Sequence, residues 1–353
     1  MNEQVDTNRR KLIQATGVAA SAIAIAPLAW AQSKQIVVSD PGGPYTTAYR
    51  KAFYDPFEKS TGIKVVSVAR ESQPLAQFVA MVQTKNYLWD VTTLTLSGEI
   101  PLLQARGLLE PIGLKASEFP GLMPEAVTDH WLGVDVYATT IAYRTDKFGA
   151  NGPKTWADFW DVKKFPGRRS LRRNPIDTLE QALMADGVPA DKLYPLDIDR
   201  AFKSLDKIKP HINVWWTSGA QSMQLIQSGE VDMISAWNGR SQAAIDGGAP
   251  VSIVWNQGLY SIEGWGIPRG TPRAEMAKAF VRFCGDAKRQ SEFTQDLAYG
   301  PTNLKAYDVI PAKRAAVLPT AAPNIKGMLL PSPEWWHLNR EKVAERFNSW
   351  MIG

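Results

Sequence analysis

The sequence predicts a two-lobed α/β protein in which each lobe is a mainly parallel sheet flanked by helices. Three observations carry that expectation. At 353 residues the chain exceeds what one hydrophobic core ordinarily supports. Strand–loop–helix–strand units recur in both halves, and such units build parallel sheets covered by helices. Between the halves, residues 131–144 alternate and are rich in β-branched types. That is the pattern of an antiparallel or more solvent-exposed strand, suited to crossing from one lobe to the other.

Taken in order, the first 31 residues read as an export leader and not as fold. Arg9 and Arg10 precede an Ala/Gly-rich apolar run that ends in Ala29-Trp30-Ala31, a small-x-small cleavage pattern of the twin-arginine type. The run is too short to span a bilayer, and Pro27 interrupts it. A strand over 34–38 then enters the loop SDPGGPYTT, followed by a helix over 47–60 bent near Pro56 and a strand in IKVVSV. Asp40 and Tyr45 belong to that loop, at the carboxyl end of a strand, where open α/β sheets bind ligands. The amides around Gly42-Gly43 suit an anion. Neither GxGxxG spacing nor a Lys-Ser/Thr pair is present, so a dinucleotide or phosphate loop is not supported.

A helix over 73–84 leads to a strand over 89–96, whose tip delivers Thr95 and Ser97 as ligand donors or helix caps. Past the 131–144 crossing, Thr155 and Asp158 have capping-box spacing, and Trp156, Phe159 and Trp160 share a packing face. A strand over 168–173 brings Arg173 and Asn174 to its end, and a helix starts at Ile176 or Asp177. Arg173 there favours an anion, whereas Asp177 either compensates the helix dipole or serves as a ligand carboxylate. Further strands over 214–216 and 231–236 frame a helix, and the second ends at Trp237-Asn238. Strands over 250–258 and 259–270, with a turn at Gln257-Gly258, carry Tyr260, Glu263 and Trp265. A flat aromatic beside a carboxylate suits holding a small charged or amphipathic molecule. The remaining helices pack, with Trp335, Trp336 and Phe347 stapling the C-terminus.

Composition narrows the class. The single cysteine, Cys284, excludes an intrachain disulfide, and its apolar helical flank reads as core. The three histidines are far apart and form no metal-ligand spacing. The net charge of +5 is spread along the chain, without the concentrated stripe that nucleic acid requires. No nucleophile motif is present, although carboxylates near strand ends leave a hydrolytic pair open.

The runs FYDPFEKSTGIKVV, WDVTTLT before GLLEPI, YATTIAYRTDKFG with PKTWADFWD, SGEVDMISAWNG and EGWGIPRGTP, in this order across residues 34–345, carry a family likeness. The chain resembles the exported solute-binding proteins of ABC importers, and within them the spermidine/putrescine branch. The resemblance implies a type II periplasmic binding protein fold whose lobes close on a solute and deliver it to an inner-membrane ABC permease. It implies no cofactor, no metal and no catalysis, in a monomer of the periplasm. The expected division is a leader over 1–31, one lobe over 32–137 and 260–310, and a second over 138–259 and 311–353.

By position, Trp237 is similar to the aromatic that stacks on a polyamine chain, and Glu263 to a carboxylate that pairs with an amine. Asp177 falls near a second amine-binding acid, while the place of the first falls at Arg173 or Asn174. Ser261 stands where an aromatic is expected, with Tyr260 and Trp265 as substitutes. Thr95 and Ser97 match strand-tip contacts, the second of which is aromatic in polyamine binders. The expected solute is a polyamine such as putrescine or spermidine. The alternatives are a small anionic or other organic solute, ferric ion on Tyr45 and Tyr260, a non-transport sensor, or an enzyme acting in the cleft.

Overall fold

The strand ends that carry glycines and hydroxyls in the sequence fall where parallel strands turn into helices. A computed structural model describes residues 34–70 and 74–353, within which 35–353 forms a single contact unit. The expected leader, its cleavage site at Ala31, and Gln73 lie outside the described residues.

Strand β1 (Gln35–Asp40) leads through the helices Pro44–Tyr49 and Asp55–Thr61 to β2 (Lys64–Ala69), which pairs with β1 in parallel. The expected bend near Pro56 is a π-helical segment, Arg50–Tyr54, joining the two helices. It accommodates the missing proline N–H by widening the turn before it. Strand β3 (Val91–Thr95) joins β1 in parallel. Strand β4 (Val127–Thr128) pairs with the long β5 (Trp131–Arg144), and β6 (Arg169–Arg172), β7 (Ile212–Trp216) and β8 (Met233–Trp237) follow. Strand β6 runs parallel to both β7 and β8, which gives the second half its own βαβ core. Strand β9 (Val251–Gly266) closes the order β2-β1-β3-β9-β5-β8-β6-β7, and β10 (Gly300–Pro301) adds to β5.

The result is a two-lobed α/β architecture of the type II periplasmic binding kind, with β5 and β9 running through both halves. Two expectations are corrected. Strand β5 is antiparallel to its neighbours, as its alternation suggests, but it is buried almost end to end and not solvent-exposed. Helices cover both of its faces, so Thr139 and Thr140 are buried as fully as Ile141. The turn at Gln257-Gly258 is no reversal. It is a bulge within one strand, where the β5 partner jumps from Leu259 to Val254 and Gln257 takes φ 60. Gln257 is held there because its amide oxygen and carbonyl accept from the Trp156 backbone N–H and indole N–H.

Close approach of the two long strands requires glycine at one point. A Cβ on Gly264 would lie 2.1 Å from the Leu132 carbonyl oxygen and 2.4 Å from the Gly133 Cα. The first lobe is built on the helix 44–61 and on Ala274–Cys284, with Tyr49, Tyr54, Phe280 and the buried thiol of Cys284 around Trp265. The second packs Trp156, Phe159 and Leu205 against the C-terminal helix Pro333–Ile352 through Trp336 and Phe347, while Trp335 is only partly buried. Trp265 is wholly buried with aromatic partners, so Trp265→Ala is expected to lower unfolding stability by about 3–5 kcal/mol. A urea titration checks this, and a loss below about 1 kcal/mol would mean the site refills.

Candidate functional site

The strand tips of the two lobes converge on a cavity of about 390 Å³. Seven of the eleven residues proposed from sequence line it: Tyr45, Thr95, Ser97, Asn174, Asp177, Trp237 and Glu263. The rule that ligands gather at carboxyl strand ends of open α/β sheets accounts for all of them but Glu263, which projects from within the antiparallel strand β9. Thr95 ends β3, Trp237 ends β8, and Asn174 and Asp177 follow β6.

The other four lie elsewhere, for physical reasons. Asp40 is fully buried beneath the first loop, where its carboxylate accepts from the Gly42 amide and the Thr46 and Tyr54 hydroxyls. Trp265 is core, next to last in β9 and packed among Tyr49, Tyr54 and Phe280. Tyr260 points to the opposite side of β9 from Ser261, which does line the cavity, and its hydroxyl donates to Glu125 at 3.3 Å. Arg173 is solvent-exposed because the period-2 alternation of β6 sends Arg172 into the cavity instead.

Several of the proposed hydroxyl and amide groups are already committed. Thr95 donates its hydroxyl and its amide N–H to Glu99, and Ser97 donates to the Pro331 carbonyl. Asn174 caps its helix by accepting from Ile176 N–H. The charged groups are therefore decisive. Four arginines (70, 172, 240 and 340) and three acids (Glu99, Asp177 and Glu263) line the cavity. Arg70 Nη2 meets Glu263 at 2.6 Å, and Arg70 Nε donates to Thr93 at 2.8 Å. Burial alone would lower the Arg70 pKa, but Glu263 and then Glu99 hold it above its ordinary value. Arg172 meets Asp177 at 3.4 Å, and Arg340 meets Glu99 at 3.7 Å while donating to the Gly98 carbonyl. Arg240 stands apart: its Nε is buried without a hydrogen-bond partner.

Behind Glu263, and paired with it across the β5–β9 register, sits Asp135. Burial drives its carboxyl well above the usual range, Glu263 adds to the rise, and the Tyr49 hydroxyl donates to it at 2.8 Å. Burial likewise raises Asp177, outweighing the opposing effects of Arg172 and Thr139. Aromatic walls complete the cavity. Tyr45 stacks on Tyr299 at 5.4 Å, and the Tyr299 hydroxyl is pushed up to about 12 by burial. Trp237 lies between Tyr137 and Trp216, with its indole N–H buried and unpartnered.

The helix Gly219–Ser228 begins at the cavity wall, where Thr217, Ser218, Gly219 and Ala220 all line it. Gly219 has to be glycine, since a Cβ there would stand 2.8 Å from Arg240 Nε and 2.9 Å from the Trp237 ring. Sequence reading missed Arg70, Tyr137, Arg172, Arg240, Tyr299 and Arg340. Arg70 follows directly on β2, so the strand-tip rule reaches it. Arg340 comes from a segment that sequence alone assigns to packing, and Tyr299 from one that it assigns to a loop. Among the described residues no group of three or more His, Cys, Asp or Glu is set to hold a metal ion, and no helix is long and apolar enough to cross a membrane.

One turn beyond Asp177, the fully buried Glu180 accepts from the Tyr194 hydroxyl at 2.5 Å and the Trp336 indole N–H at 2.7 Å, tying the C-terminal helix to this wall. Burial, and then Asp177, raise Glu180 to about 7 from an ordinary 4.5. The native state then binds more protons than the unfolded chain between those values, so this contribution to stability falls as pH rises through that window. Its full size is about 3 kcal/mol. Melting Glu180→Gln and the parent at pH 4.5 and pH 7.5 is expected to show a flatter pH dependence in the variant. Equal slopes would exclude Glu180 as the titrating group.

Residues 52–320 match the family of bacterial extracellular solute-binding proteins. A gamma-aminobutyric acid-binding protein of Pseudomonas aeruginosa is 36% identical over 334 residues, covering 93% of this chain and 94% of that relative. The spermidine/putrescine-binding periplasmic protein of Escherichia coli is 23% identical over 260 residues, covering 71% and 73%. Among solved structures, an ABC transporter substrate-binding protein from Bradyrhizobium japonicum superposes with TM-score 0.84 at 40% identity, over 90% of this chain and 99% of that one. A gamma-aminobutyric acid (GABA) receptor does so with TM-score 0.81 at 34% identity, over 90% and 97%.

Proposed function

The chain belongs to the bacterial extracellular solute-binding proteins, and for this member we propose that the cleft captures a short amino acid or related organic acid by its carboxylate. The coarser role needs no proposal. This is an exported, periplasmic binding protein and not an enzyme, and it takes a small solute in a cleft and works with a membrane ABC permease. The solute is the open point.

One observation carries the reading: the arginine left over at Arg240. Each acid lining the cleft has an arginine within ion-pair distance, and Arg240 Nε has no partner. A buried donor left unmade costs about 1–3 kcal/mol, more when charged, and a ligand carboxylate supplies what is missing. The start of the helix Gly219–Ser228 lies beside Arg240, a Cβ on Gly219 falling 2.8 Å from its Nε, and a helix N-terminus reinforces a negative group there. The gamma-aminobutyrate binders among the relatives support an ω-amino acid as the solute class.

A polyamine is the second reading, supported by the spermidine/putrescine relatives and by Trp237, Glu263 and Asp177 lining one cavity. Against it, a diamine wants unpaired carboxylates, and both Glu263 and Asp177 are paired to arginine. The β5–β9 register, which sets Tyr137 opposite Ser261, supports a hinge at 137 and 260 between lobes over 32–137 with 260–310 and over 138–259 with 311–353. We read the chain as a monomer exported by the twin-arginine route.

A thermal-shift panel on the mature protein tests the solute class, because a ligand selective for the native state raises its melting temperature. Gamma-aminobutyrate and other short amino acids are expected to stabilise. Stabilisation by putrescine or spermidine alone would reject the carboxylate reading. Arg240→Gln is expected to weaken the stabilising acid about 30–100-fold in calorimetry, corresponding to about 2–3 kcal/mol for a charge-assisted hydrogen bond.

A further inference from the structure

We infer that Arg172 sets the preference of the cleft for a carboxylate over an ammonium, because it occupies from within the protein the aromatic seat that a ligand cation would need. The inference rests on the carboxylate reading above and adds the residue that enforces it.

The Arg172 guanidinium carbon lies 4.9 Å from the centroid of the Trp237 ring and 5.7 Å from that of Trp216. At such distances the negative face of an indole holds a cation. Trp216 and Tyr137 stand edge-on to Trp237 at 5.3 and 5.9 Å, so they wall its flanks. Asp177 fixes the guanidinium in place: its Oδ2 lies 3.4 Å from Arg172 Nη1 and accepts the Thr139 hydroxyl at 2.8 Å. Asp177 does so from φ 74, with Ile176 extended at ψ 135, inside a segment otherwise helical. A non-glycine residue rarely adopts that backbone conformation without a surrounding that enforces it. Here it accompanies a carboxylate turned onto Arg172 and Thr139.

The consequence is selective. An ammonium approaching Trp237 has to displace Arg172 from the ring and from Asp177 together, or else sit beside a like charge. A carboxylate meets no such obstacle, since Arg172 and Arg240 both line the cavity. The aromatic and the acid that suggest amine binding in the sequence are therefore already used by an internal cation.

Gamma-aminobutyrate and putrescine form a suitable probe pair. Both have four carbons and one ammonium, and they differ in carrying a carboxylate or a second ammonium at the other end. Calorimetry is run on the mature protein and on Arg172→Gln, with circular dichroism melts to establish folding. The parent is expected to bind gamma-aminobutyrate and not putrescine. Arg172→Gln is expected to lose at least tenfold in gamma-aminobutyrate affinity and to gain measurable putrescine binding. Arg172→Met, which keeps the apolar stem, replaces it if the glutamine variant does not fold and is expected to show the same gain. A folded variant that still rejects putrescine overturns the inference. A parent that rejects gamma-aminobutyrate and all other acids overturns the carboxylate reading, and the putrescine gain in the variant is scored separately from that result.

Discussion

The antiparallel pairing of β5 and β9 is the constraint on which the rest of the protein depends. These two strands belong to both lobes, and they pair continuously except at the two register shifts between 133 and 135 and between 139 and 141. Their contact is close enough that Gly264 and Gly133 touch backbone to backbone. Every cleft residue is positioned relative to that pair. Glu263 and Ser261 project from β9, Tyr137 from β5, and β3 and β8 flank the pair with Thr95 and Trp237 at their tips. Strands shared by both lobes hold the two walls of the cleft to one frame. The bulge at Gln257, locked onto Trp156, fixes one end of the shared segment.

Charge in the cleft follows from burial. Placing arginines and acids in one cavity of low polarity is tolerable only when they pair, because the desolvation of each ion otherwise dominates. Arg70–Glu263, Arg172–Asp177 and Arg340–Glu99 meet that requirement, and the raised Asp135 behind Glu263 meets it by favouring its neutral form. Arg240 does not meet it within the protein. Its Nε is buried with no hydrogen-bond partner among the described residues. The same logic places the C-terminal helix in the functional unit. Through Glu180 and Trp336 it is tied to the Asp177 wall, and through Arg340 it reaches Gly98 and Glu99 on the other lobe.

Much of this was legible in the chain itself. Repeated strand–loop–helix units give the α/β class because hydrophobic periodicity and turn residues are local properties. The strand-tip rule turns that class into a residue set, Tyr45, Thr95, Ser97, Asn174, Asp177 and Trp237, while Glu263 is legible as a carboxylate set among aromatics and from the family resemblance. The rule fails at one-residue resolution. Arg173 was favoured over Arg172 and Tyr260 over Ser261, and in each case the pleat sends neighbours to opposite faces. Trp265 shows the other failure, since an aromatic next to a strand end reads the same whether helices cover it or a ligand does.

By itself, then, the sequence determined the α/β class and the two-lobed architecture. The first rests on patterns spanning a few consecutive residues, the second on chain length against what one core supports. Only the tertiary structure decided how the charges combine. Arg70 and Glu263 are 193 residues apart in the chain, and Arg340 reaches Gly98 across 242. No local pattern encodes which arginine neutralises which acid or which one is left over. Coulomb and desolvation terms are set by distance and burial in the folded state.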